Sequence, residues 1–363
     1  MNIAVIFTGG TIGSSIQDQY VSTDAQAPYH LLSMYGQSRN SCLSKEAVDF
    51  TTYAPYTTLS EYLDGSHLNR LIACIRNVLV TDTDGIIVTH GTDTLPYTAA
   101  ALGMIFAYAK VPIILVSSNY ILDDPRANGL VNFSAAVDYI RDWRTVYPAP
   151  ADHKTASIPT PVFQPLPTAV GISYCNTGST PKIYNALGIY NHRPFDDSLY
   201  ERPYDAYAEA IAPVLRECSV IRHVTPDSIC TSGTTIDLLS GNTDIPDPGR
   251  DPIQESYTIF DTTCPVCFFQ SMPGMQYHLP DDARAVLIHA YHSGTINTKN
   301  PSLLALTGRA AQKKIPVYLT GISTESTDYD SKAVYESLGI IPLPEYSPLV
   351  AYMYLWYKYS QRN

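Results

Sequence analysis

At 363 residues the chain is long for one core and suits two domains, and 45% hydrophobic residues give ample material for buried sheets. A formal net charge of −11 argues against a nucleic-acid or anionic-membrane partner, both of which need a basic footprint. The seven cysteines are odd in number and scattered, which fits reduced thiols better than a disulfide framework. Cys264 and Cys267 form one isolated CxxC pair, without a second pair or histidine spacing that would make a metal site.

The first apolar run begins at residue 2, leaving no space for a secretory leader, and no run reaches the length of a membrane helix. The aromatic tail at 352–357 is too short and too rich in hydroxyls for that role, so the expected location is cytoplasmic.

In chain order, Ile3-Ala4-Val5-Ile6-Phe7 reads as a buried parallel strand. It ends in Thr8-Gly9-Gly10-Thr11, and a loop rich in Gly, Ser and Gln runs to about residue 24. Leu68, Leu71, Ile72, Ile75 and Leu79 have helical spacing. Gly85-Ile86-Ile87-Val88 is a second buried strand, ending in His90-Gly91-Thr92-Asp93-Thr94, and residues 94–109 form the next helix. A third strand at 112–116 ends in Ser117-Ser118-Asn119. A helix fits 128–140, and Asn128-Gly129 before it reads as structural. Proline is frequent from 148 to 167, and 169–173 is a further strand.

Residues 196–262 read as an enlarged connection, with one helix at 204–216. A second unit follows, with strands at 285–289 and 316–319 and helices at 301–313, 331–338 and 348–360. The expectation is an α/β protein in three parts. An N-terminal catalytic domain (1–195) carries a doubly wound, flavodoxin-like, mostly parallel sheet; the connection (196–262) leads to a smaller C-terminal α/β domain (263–363).

Two strand ends bear hydroxyls, and in such sheets ligands bind beyond the carboxyl ends of the strands. Hydrolysis of an amide needs an activated nucleophile, a proton carrier, donors for the oxyanion and a holder for the substrate. Thr11, after two glycines, fits the nucleophile. Taken alone, Gly9-Gly10-Thr11-Ile12-Gly13 reads equally well as a phosphate-binding turn, although it lacks GxGxxG spacing. The second segment favours the hydrolase, because a nucleotide fold has no need of Thr92 beside Asp93. Asp93 or Thr94 also suits an N-cap of the following helix, a role compatible with catalysis.

Thr8-Gly9-Gly10-Thr11-Ile12-Gly13 and residues 84–94 together resemble the two signature motifs of the bacterial-type L-asparaginase family, cytoplasmic type I-like. The likeness continues through 116–137 and the second unit, including Pro273-Gly274-Met275, and leaves out 195–262. It implies that Thr11 attacks the side-chain amide, forming an acyl-enzyme and releasing ammonia. Tyr20 then assists when its loop closes as a lid, and Thr92 is the second catalytic threonine, paired with a relay lysine that Lys182 matches. Asp93 binds the substrate ammonium, Ser60 the carboxylate, and Glu61 adds an ammonium contact. Ser60 otherwise reads as a helix cap and Lys182 as an ordinary surface lysine.

The resemblance further implies no metal or cofactor and a homodimer or homotetramer. The 293–297 turn and Glu325 are the residues available to complete a neighbouring protomer's site. It leaves open L-asparagine, L-glutamine or D-asparagine as substrate, since one methylene is worth only about 1–3 kcal/mol. Two further readings stand beside it. One is a component of the archaeal-type amidotransferase, which carries an additional domain ahead of the strand on which this chain begins. The other is a non-catalytic asparagine or aspartate sensor.

Overall fold

Both faces of the central strands are covered, as their unbroken apolar runs require: every residue of the strands at 85–89, 113–116 and 170–174 is buried. The computed structural model describes residues 1–17, 20–24, 26–40, 47–146, 166–193, 196–218, 234–236, 258–324 and 330–361.

β1 (Asn2–Phe7) leads through a 3-10 turn at Thr11–Gly13 into an antiparallel hairpin of β2 (Ser14–Gln17) and β3 (Tyr20–Thr23). Then come α1 (Ala27–Asn40), β4 (Asp49–Tyr53), a 3-10 turn at Ser60–Tyr62, and α2 (Gly65–Val78). β5 (Gly85–Thr89), α3 (Leu95–Ile105), β6 (Ile113–Val116), α4 (Gly129–Val146), β7 (Val170–Tyr174) and β8 (Lys182–Asn185) complete the first pattern. After α5 (Ala208–Cys218) and β9 (Thr234–Ile236) come β10 (Val266–Gln270), β11 (Ala285–His289), α6 (Pro301–Lys313), β12 (Val317–Ile322), β13 (Ile340–Pro344) and α7 (Pro348–Ser360).

The large sheet has the order β8-β7-β6-β5-β1-β4-β9, parallel throughout except for antiparallel β8 and β9 at its edges. Counted along the chain, its five parallel strands run 2-1-3-4-5, the flavodoxin-like order, and the direction of winding reverses between β1 and β5. The fold is therefore the expected α/β class. Tyr35 of α1, Phe50 of β4 and Phe133 of α4 meet with ring centroids 5.4–5.7 Å apart, pinning both helices to the sheet.

Met1–Leu63, His67–Glu201 and Ser219–Tyr257 form one compact unit; Asp64–Ser66, Arg202–Cys218 and Thr258–Asn363 form another. The second unit carries a parallel sheet in the order β10-β11-β12-β13, with α7 packed on β10, β11 and β12. Asn300 caps α6 by accepting from Ser302 and Leu303, and Ser347 caps α7 by accepting from Val350 N–H. Of the expected connection, residues 202–218 are a 3-10 turn at Tyr204–Ala206 followed by α5, while 219–233 and 237–257 lie outside the described residues.

One expected helix differs. Residues 331–338 form two short 3-10 turns, Asp330–Val334 and Glu336–Leu338. Eight residues offer too few hydrogen bonds to offset helix nucleation, and Gly339 at φ +67° ends the segment.

Candidate active site

The turns after β1 and β5 flank the reversal point of the sheet, where the fold leaves an open crevice. Gly9 and Gly10 have φ of +97° and +73°, a region that side-chain-bearing residues rarely enter. They also admit close neighbours. A Cβ on Gly9 would lie 2.3 Å from the Thr58 carbonyl oxygen, and one on Gly10 would lie 2.2 Å from Cα of Gly91. Gly10 N–H donates to the Thr58 carbonyl at 3.0 Å, and Thr58 N–H donates to the Thr8 carbonyl at 3.1 Å. The Thr8 hydroxyl donates to the Thr89 carbonyl at 2.7 Å. Segments 8–11, 58–60 and 89–94 are thus stitched together at one end of the sheet.

Thr11 and Thr92, each following one of the two touching glycines, are half-buried, and Asp93 is exposed. Ser60 is buried and its hydroxyl donates to Asp93 Oδ2 at 3.3 Å. Thr94 makes no side-chain cap on α3; its hydroxyl donates to the Ser60 carbonyl at 3.1 Å. Nor does Ser60 cap its own turn, whose N-cap is Leu59. The capping alternatives raised for Ser60 and Thr94 are therefore not realised; both hydroxyls tie the crevice together.

His90 is wholly buried directly beneath this turn. Its Nδ1–H donates to the Gly91 carbonyl at 2.9 Å, leaving Nε2 to accept from the Thr98 hydroxyl at 2.9 Å. Burial drives its pKa down to about 4, against a smaller opposing effect of the Gly91 bond, so the ring is neutral and fixes the turn. Ser117 donates to the His90 carbonyl at 2.7 Å and anchors the same turn to the end of β6.

Of the other expected residues, Glu61 is exposed on the turn beside Ser60. Tyr20 stands on the β2–β3 hairpin that leaves Gly13 and is 77% exposed, so its ring makes no buried contact with Thr11. Glu325 lies outside the described residues, and the 293–297 turn belongs to the second unit.

Lys182 lies at the edge of the sheet. It opens β8, an edge strand three places from β5, and its ammonium pairs with Glu201 at 2.9 Å while its side chain stays largely exposed. At about 4.8 Å per strand, β8 lies about 14 Å across the sheet from β5. The surface reading of this lysine is the one the structure fits, because β8 turns back antiparallel and carries Lys182 to the sheet edge.

Sequence reasoning missed a loop, described at residues 188–193 and 196–201, that returns from β8 over the ends of β7 and β6. Asn176 holds it by accepting from Leu199 N–H at 2.9 Å and donating to the Leu199 carbonyl at 3.1 Å. Tyr174, the last residue of β7, donates to the Asp197 carbonyl at 2.8 Å and hydrogen-bonds Asn119 beyond β6. Farther along, Asn191 donates to the Tyr97 hydroxyl at 2.9 Å, in the first turn of α3. The loop brings His192 against Tyr174, ring centroids 5.7 Å apart. A lone histidine in an irregular loop carries no periodic signal that could have marked it.

Among the described residues no group of His, Cys, Asp and Glu could hold a metal ion, and no helix is long and apolar enough to cross a membrane. Cys264 and Cys267 are both free thiols whose pKa burial raises, which fits the reduced reading.

Sheet order and the apposed turns together define an open α/β protein with hydroxyl-bearing turns at its winding reversal. Residues 2–145 match the family model described as "Asparaginase, N-terminal". In fold it is similar to the thermostable L-asparaginase of Thermococcus kodakarensis (TM-score 0.62, 18% identity, covering 100% of this chain and 94% of that one). L-asparaginase I of Vibrio cholerae gives the same TM-score and identity over 100% and 93% of the two chains. In sequence it is similar to one component of the glutamyl-tRNA(Gln) amidotransferase of Methanosarcina barkeri, 34% identical over 137 residues. That match covers 36% of this chain and only 29% of the relative.

Proposed function

We propose that the protein is an L-asparaginase that hydrolyses L-asparagine to L-aspartate and ammonia. The observation that carries the reading is the contact of Gly10 with Gly91, which sets the Thr11 and Thr92 turns side by side with Ser60 and Asp93. In this reading the Thr11 oxygen bonds to the side-chain amide carbon, the C–N bond breaks, and ammonia leaves with the hydroxyl proton. Water then attacks the ester, Thr92 positioning it, and releases aspartate and the Thr11 hydroxyl. Asp93 pairs with the substrate ammonium, with Glu61 as a further acidic contact, and Ser60 donates to the α-carboxylate. Tyr20, carried by the hairpin that follows Thr11 directly, closes over the bound substrate. Lys182 has no part in these steps.

The test is ammonia release from L-asparagine, L-glutamine and D-asparagine by the parent and by Thr11→Ala and Thr92→Ala. The reading expects release from L-asparagine and its loss in both variants. Release unchanged in either variant contradicts it.

A second reading comes from the relatives in sequence, which are amidotransferase components. There the same chemistry would supply ammonia to a partner acting on glutamyl-tRNA, rather than to solvent. The acidic balance of −11 leaves tRNA contact to such a partner. Ammonia release from free asparagine by the isolated chain favours the first reading; release only with partner and charged tRNA favours the second.

A further inference from the structure

The hairpin that carries Tyr20 leaves the Thr11–Gly13 turn at Ser14 and returns to it at Asp24. Gly13 N–H and the Ser14 hydroxyl both donate to the Gly10 carbonyl, at 2.9 and 2.8 Å, and Ser14 N–H donates to the Thr11 carbonyl. The Gly13 carbonyl is taken from the far end of the hairpin, by Asp24 N–H at 3.0 Å. Asp24 is in turn held by its own side chain. Its Oδ1 accepts from Gln26 N–H at 2.8 Å and its carbonyl from Ala27 N–H at 3.2 Å, a closed turn that leads into α1. Ser14, Ser15 and Asp24 line a cavity of about 250 Å³ together with His30 and Asp123, which pair at 3.0 Å. On that side hydrogen bonds, rather than packed side chains, hold the base of the hairpin.

We infer that Asp24 is a positioning residue for the proposed reaction: its side chain fixes its own amide on the Gly13 carbonyl, and so holds the Thr11 turn and the base of the Tyr20 hairpin together. The inference rests on the asparaginase reading and adds to it a residue that touches no substrate. Such a hold matters because displacing an attacking group by about 1 Å costs about a hundredfold in rate. Asp24 acts through one acceptor oxygen, so the position requires an acceptor and not a charge. The grip on substrate is separate, since Ser60 and Asp93 lie on the segments after β4 and β5 and hydrogen-bond each other at 3.3 Å. Loosening Asp24 therefore acts on the chemical step and not on binding.

The experiment combines steady-state kinetics on L-asparagine, L-aspartate affinity and melting temperature for Asp24→Ala and Asp24→Asn in the full chain with hydrogen exchange of the parent. Asp24→Ala is expected to lower kcat about tenfold while the Kd for L-aspartate stays within about twofold of the parent. Asp24→Asn, whose amide oxygen accepts the same N–H, is expected to keep kcat within about threefold. In the parent, the Asp24 amide is expected to be protected from exchange by its bond to Gly13. An active parent with kcat unchanged in Asp24→Ala overturns the inference and leaves the asparaginase reading intact, whether or not the melting temperature falls as it would for a plain helix cap. Asp24→Asn as slow as Asp24→Ala also overturns it. An unprotected Asp24 amide in the parent overturns it even if Asp24→Ala fails to fold. A parent that releases no ammonia from free asparagine removes the asparaginase reading, and this inference with it.

Discussion

Gly10 and Gly91 meet backbone to backbone: neither position has room for a methyl group, since a Cβ on Gly91 would lie 2.5 Å from Cβ of Ser60 and 3.2 Å from Cα of Gly10. Two turns 81 residues apart in sequence share one crevice because both gave up their side chains at the contact.

Gly10→Ala is expected to cost about 3 kcal/mol or more in urea unfolding, from positive φ and a backbone clash together, and to abolish ligand binding. Gly13→Ala is the control: nothing lies within 4 Å of its would-be Cβ, so it should unfold close to the parent. Equal unfolding midpoints for Gly10→Ala and the parent would contradict the contact.

In the proposed reading Ser60 and Asp93, which hydrogen-bond each other, act on the same ligand, one donating and one accepting. Asp93→Asn should raise KM for asparagine by about ten- to a hundredfold through loss of a charge-assisted bond, and Ser60→Ala by about tenfold. Steady-state kinetics check both, and an unchanged KM in Asp93→Asn would place the ammonium elsewhere.

His90 gives the stability a defined pH dependence. Its folded pKa of about 4 lies below the ordinary value near 6.5, so between these limits the unfolded chain binds the proton and the folded chain does not. Its contribution is complete above pH about 6.5 and falls on acidification by about 3 kcal/mol in all, levelling off near pH 4. Urea titrations of the parent and His90→Asn across this range test it; the variant should show a shallower dependence.

Lys182→Met should leave ammonia release unchanged and lower stability by less than about 1 kcal/mol, as for an exposed ion pair. Loss of turnover in this variant would return the lysine to the mechanism.

Much of this was legible in the residues. Continuous apolar runs gave away β1, β5, β6 and β7, because a strand buried on both faces admits few polar residues. β4, Asp49–Tyr53, was not visible: threonines at 51 and 52 interrupt its apolar pattern, and its identity comes from pairing with β1. α1 was equally silent, its sequence mixing Tyr, His, Ser and Gln without a clear stripe. The place of Lys182 was not legible, because an antiparallel edge strand carries it and closeness along the chain does not become closeness in space. The loop around His192 is held by tertiary hydrogen bonds of Tyr174, Asn176 and Asn191, which no local pattern encodes.

The most direct measurement is a crystal structure of the protein soaked with L-aspartate. The account expects one amino acid at the end of β1 and β5, touching the hydroxyls of Thr11 and Thr92 with its ammonium on Asp93. Aspartate bound elsewhere, or reaching only one of the two threonines, would contradict it.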